Sequence, residues 1–106
     1  MLEVTQIFGA LGDPHRLQIA TILAMQGPMA LVPLVQSLPI SRQAATKHIE
    51  IMERSGIVAS ERSGRQRIIA LSPYALKSAT VWLQRLESEW DSRLETLRLY
   101  VESSRD

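Results

Sequence analysis

The sequence predicts a mainly α-helical single domain that carries one small β-hairpin. Three observations lead there. Residues 41–55 read as a short helix with two unlike faces, bounded by its own start and stop signals. After Gly56 the apolar period changes from helical to strand-like, in two runs, residues 57–62 and 67–71, joined by a polar loop. The chain has 106 residues, of which 45% are hydrophobic, enough for one modest core.

The first helix spans about residues 4–11, where Val4, Ile7, Phe8 and Leu11 share a face and Gly12 ends the run. Asp13 caps a second helix. Pro14 sits at its first position, where a missing amide costs nothing. Leu17, Ala20, Ile22, Leu23 and Ala24 form its expected buried side, and His15 and Arg16 fall in an exposed first turn. Gly27-Pro28 closes it. Leu31, Leu34, Val35 and Leu38 then fit one face of a short helix, provided that Pro33 lies in the first turn. Pro39 forces a break.

The helix at 41–55 begins two residues later. The Ser41 side chain can accept a hydrogen bond from an orphan amide of the first turn, and Gly56 can take the left-handed conformation that ends a helix. Ala45, Ile49 and Met52 recur at spacings of four and three, which makes one apolar stripe. The other face holds Arg42, Gln43, Thr46, Lys47 and Glu50. Arg and Lys neutralise phosphates, Arg and Gln can bind base edges in bidentate fashion, and Thr can serve either target. An amphipathic surface helix with no ligand would look similar. The short helix, tight turn and polar-faced helix together have the layout of a helix-turn-helix.

The hairpin at 57–71 has a basic tip, with Arg62, Arg65 and Arg67 inside six residues. Such charges can blunt an exposed sheet edge. Directly after a helix-turn-helix they also suit a wing that reaches phosphates or the minor groove. Ser72 caps and Pro73 opens a last helix that runs to about Glu102, roughly 45 Å at 1.5 Å per residue. Leu83, Leu86, Trp90, Leu94, Leu97 and Val101 form a heptad-like seam along it, longer than a small core can cover. A second copy of the chain is the expected cover. Ile7 and Phe8 of the first helix would meet it together with Trp90, Leu94, Leu97, Tyr100 and Val101, and Trp82 and Trp90 would be its largest anchors. A fold-back of the last turns onto their own chain is the alternative.

The charge is unevenly placed. The net value is only +1, yet residues 41–67 hold six bases against three acids, and residues 74–106 five against six. There is no cysteine, so disulfides, thiolate zinc sites and thiol switches are excluded. No apolar run is long enough to span a bilayer and the first residues do not read as a signal peptide, so the expectation is a cytoplasmic protein without membrane contact. No carboxylate pair, Ser-His-Asp set or glycine-rich phosphate loop can be assembled, which speaks against an enzyme.

Three blocks, FGALGDPHRLQIATIL, SRQAATKHIEIMERSGIV and ERSGRQRIIALSPYAL, in that order, resemble the ArsR/SmtB family of winged helix-turn-helix transcriptional regulators. The resemblance extends from about Phe8 to Val101. It implies a homodimer, with N- and C-terminal helices at the dimer interface and double-stranded DNA as the partner. By position it makes Ser41, Arg42, Gln43, Thr46, Lys47 and His48 recognition-helix contacts, and Arg62, Arg65 and Arg67 wing contacts. Many members bind metal through cysteines before the recognition helix or through histidines and acids on the last helix. Here the first place reads Met29-Ala30-Leu31-Val32-Pro33-Leu34 and the last helix has no histidine, so a metal-independent member with no cofactor is expected. Repression is the family's usual mode. Two alternatives stay open: a protein-interaction module on the same frame, and a regulator that responds to an apolar small-molecule effector in a dimer cleft near Trp82, Trp90 or Phe8.

Overall fold

The computed structural model describes residues 3–105; Met1, Leu2 and Asp106 lie outside the described residues. In chain order the elements are α1 (Val4–Leu11), α2 (Pro14–Gln26), β1 (Met29–Ala30), α3 (Leu31–Gln36), α4 (Arg42–Arg54), β2 (Val58–Ser63), β3 (Gln66–Leu71) and α5 (Pro73–Ser103). No helix is long and apolar enough to cross a membrane among these residues.

Local chemistry sets most boundaries. The Asp13 carboxylate accepts from the amides of His15 at 2.8 Å and Arg16 at 3.2 Å, with Pro14 in the first turn of α2. Ser72 caps α5 in the same way, accepting from the Ala75 amide at 3.3 Å. Pro33 does fall in the first turn of α3. That helix starts at Ala30 without a side-chain cap, because β1 delivers the chain to it in extended conformation.

The sheet has three antiparallel strands in the order β1-β3-β2. Val58 pairs with Leu71 and Ser63 with Gln66, so the hairpin closes in a two-residue turn, Gly64-Arg65. Gly64 has φ 63° and, among the described residues, none other than glycine has a positive φ, which fits a turn that requires the left-handed conformation only at its first central position. The third strand departs from the two-stranded expectation. Met29 and Ala30 pair with Ile69 and Ile68 and cover the edge of β3 that would otherwise lie open.

One core joins every layer. Ile7, Ile19, Leu34, Ile49, Met52, Ile57 and Ile69 are fully buried in it. Two expectations need correction here. On α2 the buried residues are Ile19 and Leu23, whereas Leu17 is 53% exposed and Ala24 is exposed. The helix is apolar nearly all round, so packing against α4 and β3 selects the face and periodicity does not. Ile7 is fully buried within its own chain and is therefore unavailable to a dimer interface. The α1 face bearing Ile7 and Ala10 turns inward, and Phe8 is left half-buried against Trp82, ring centroids 5.5 Å apart.

Helix α5 leaves this core behind. Only Ala75 and Ala79 are buried on it, and the described residues from Thr80 onward are exposed, Trp90 to 63%. The molecule measures 73 × 29 × 22 Å, with a radius of gyration of 19.3 Å where about 13 Å is usual for a chain near this length.

Candidate nucleic-acid interface

The candidate surface is built on α4. Ser41 Oγ accepts from the Ala44 amide at 3.1 Å and fixes the start. At the other end the amide of Gly56 reaches the Glu53 carbonyl and that of Ile57 the Met52 carbonyl, both at 3.0 Å, with Gly56 at φ 84°. This is the Schellman arrangement, and its usual apolar contact is supplied by the buried pair Met52 and Ile57. The Ser55 hydroxyl donates to the same Met52 carbonyl at 2.9 Å. Ala45, Ile49 and Met52 then lock one face of the helix into the core.

The opposite face is open. Arg42, Gln43, Thr46, Lys47 and Glu50 line one continuous shallow surface, with all but the half-buried Thr46 exposed. The structure thus brings together five residues that sequence spacing placed on one face. Four of them carry groups suited to DNA; Glu50 marks the rim, where its charge opposes phosphate.

At the wing, Arg62 near the end of β2 and Arg65 within the turn are both exposed. Together with Gln66 and Arg67 they face Ala30, Leu31, Val32 and Pro33 across a groove. Arg67 is placed differently from the other two. Its guanidinium forms an ion pair with Glu53 of α4, and its Nε donates to Ser60 Oγ at 3.2 Å, while Ser60 in turn donates to Glu53 at 3.3 Å. Arg67 fastens the wing to α4 and is not a free cation at the tip.

His48 also has an internal engagement. Its Nδ1 lies 3.0 Å from Nη1 of Arg16 and 3.9 Å from Oδ1 of Asp13, and its ring stands 5.5 Å from that of His15. Arg16 Nε donates to the Ala10 carbonyl at 2.6 Å. The first turn of α2 is therefore half-buried and bonded to α4, a correction to the exposed first turn expected from sequence. Asp13 carries a consequence of this setting. Its partial burial alone would raise its pKa. The amides of Arg16 and His15 prevail, joined by the charge of His48 where its ring is protonated and by the Arg16 guanidinium, and hold the carboxyl below its ordinary range. No local signal could have exposed this cluster, because Arg16 and His48 are 32 residues apart.

Among the described residues no group of three or more His, Asp or Glu is arranged to hold a metal ion. Two shallow grooves flank Trp82. One is lined by Val4, Thr5, Phe8 and Gly9; the other by Val4 and α5 residues from Tyr74 to Arg85.

Comparison with known proteins agrees with this geometry. A helix-turn-helix domain family matches residues 11–61. The HTH-type transcriptional regulator Rv2034 of Mycobacterium tuberculosis is 30% identical over 97 residues, covering 92% of this chain and 87% of that protein. An ArsR-like transcriptional regulator from Rhodococcus sp. RHA1 superposes with a TM-score of 0.79 at 31% identity, over 91% of this chain and 90% of the other. The homodimeric winged helix-turn-helix DNA-binding domain Mb0332 of Mycobacterium bovis shares the fold, with a TM-score of 0.64 at 22% identity over 81% and 79% of the two chains.

Proposed function

The chain belongs to the ArsR family of winged helix-turn-helix transcriptional regulators, and from that premise we propose that it is a homodimeric, cytoplasmic repressor that reads a pseudo-palindromic operator. The family is one of DNA-binding regulators and not of enzymes. The observation that carries the proposal is the pairing of two features. Helix α4 is fixed to the core by one face and presents Arg42, Gln43, Thr46 and Lys47 on the other, and a basic wing stands beside it.

The roles divide by chemistry. Arg42 and Gln43 read base edges in the major groove. Ser41, Thr46, Lys47, Arg62 and Arg65 hold phosphates and set the register. Arg67 and His48 act from behind, the first by fixing the wing and the second by fixing the helix. The bare apolar length of α5 supports the dimer, as does the homodimeric state of the Mb0332 domain with the same fold. Phe8, Trp90, Leu94, Leu97, Tyr100 and Val101 remain its candidate contacts; Ile7 does not.

The test is binding of the purified protein to fragments of its own upstream region and to random duplex, over a range of salt. The expected result is tight, sequence-dependent binding that weakens steeply as salt rises. Equal and weak binding to both duplexes would refute it.

A further inference from the structure

We propose that Arg16 is a positioning residue for the recognition helix, and that it holds α4 through the neutral form of His48, so that protonation of this histidine releases the helix and lowers sequence discrimination. The inference rests on the DNA-binding reading above but adds a control to it.

The geometry determines the proton. A guanidinium only donates hydrogen bonds, so the His48 Nδ1 that faces Arg16 Nη1 at 3.0 Å must accept. Acceptance requires the neutral ring with its proton on Nε2. Arg16 also grips the Ala10 carbonyl through Nε, so a single side chain joins the end of α1, the start of α2 and the middle of α4. His48 lies between Lys47 and Ile49, one residue facing solvent and the other the core. A bond at this position sets how α4 is rolled about its axis, and hence where Arg42, Gln43 and Lys47 point.

Protonation reverses the interaction. An Nδ1–H would point at the Arg16 guanidinium, and two positive groups would face each other at hydrogen-bond distance. The charged or titratable groups that face His48 from α2 are Arg16, Asp13 and His15. On the α1 side the Ala10 carbonyl holds Arg16 through its Nε. Asp13, at 3.9 Å, is the anion able to accept a hydrogen bond from the protonated Nδ1. It is fixed as the N-cap of α2, so the ring must turn toward Asp13 and away from the Arg16 guanidinium. His15 adds a second titratable ring at 5.5 Å, and charge on either ring opposes charge on the other. Loss of the bond should spare phosphate attraction, to which a positive His48 adds, and should weaken only the readout that depends on helix placement.

Two measurements test this. In the free protein, imidazole 15N shifts at pH 8 should show His48 as the Nε2–H tautomer, and Arg16→Met should abolish that preference. An Nδ1–H tautomer in the wild type would overturn the proposal without reference to DNA. The ratio of operator to random-duplex affinity should then fall at least tenfold from pH 8 to pH 5.5, while random-duplex affinity does not fall. His48→Asn, whose Oδ1 can accept at the place of Nδ1 but cannot be protonated in this range, should keep a high ratio at both pH values. His15→Gln should still lose the ratio on acidification, because it leaves the Arg16–His48 bond in place. A His48→Asn variant as pH-sensitive as the wild type, or a wild-type ratio that stays high at both pH values, would overturn the coupling. No discrimination at any pH, alongside the expected tautomer, would instead refute the DNA-binding reading.

Discussion

Met52 shows at the scale of one residue how α4 is held. Its side chain is fully buried, and its carbonyl receives both the Ile57 amide and the Ser55 hydroxyl. Met52→Ala should destabilise the fold by about 2–5 kcal/mol in denaturant unfolding, since it leaves a cavity beside the helix stop. On the opposite face the two basic residues should behave unlike each other. Arg42→Ala should cost roughly 1–3 kcal/mol and relax the preference at one base pair, whereas Lys47→Ala should weaken all duplexes alike and reduce the salt slope by about 1. A selection over randomised sites, repeated at two salt concentrations, separates the two outcomes. For Asp13 the sign follows from its lowered pKa. Its contribution is fully present above the unfolded-state value of 3.8 and is lost as pH falls through the lower folded value. Asp13→Asn should therefore flatten the acid limb of the stability profile below about pH 4. Residues whose work is local were legible in the sequence: the Ser41 cap, the Gly56 stop, and the stripe of Ala45, Ile49 and Met52. Arg16 with His48 and Arg67 with Glu53 were not, because each pair is made by tertiary placement across 32 and 14 residues.

Among the elements, α4, the wing and α5 were readable because each carries its own boundary signals. The buried face of α2 was not, since a helix apolar on most sides offers no phase. Strand β1 was missed because two residues have no period; its partner Ile68-Ile69 makes it necessary, and only the folded sheet shows that. The seam of α5 permits a finer reading. Its gaps of three, four, four, three and four place Leu83 and Leu94, Leu86 and Leu97, and Trp90 and Val101 eleven residues apart. An eleven-residue repeat averages about 3.67 residues per turn, slightly above the 3.6 of an unstrained helix, so the pairing should coil gently right-handedly where a heptad repeat would coil left-handedly. Ala75 and Ala79 lie on the same side, so the seam continues the face that α5 buries in its own core. Leu94→Glu with Leu97→Glu should yield a monomer by sedimentation, with the helix-turn-helix still folded and operator affinity lost. A double variant that remains dimeric would place the interface elsewhere.

The whole molecule is a small core with one long helix left bare, and its shape makes sense as half of an assembly. Stability should then depend on concentration, with the thermal midpoint rising as the protein is concentrated. A two-fold axis relating two copies would set two α4 helices side by side, each backed by its own core and flanked by its own wing. The spacing of the half-sites follows from that symmetry and not from any single residue. The most direct measurement is a hydroxyl-radical footprint on the operator together with the stoichiometry of the complex. Two chains per site should protect two half-sites on one side of the duplex, about one helical turn of 10–10.5 base pairs apart or a multiple of that. A single protected half-site bound by one chain, or uniform protection without sequence preference, would contradict a dimer that reads DNA through α4.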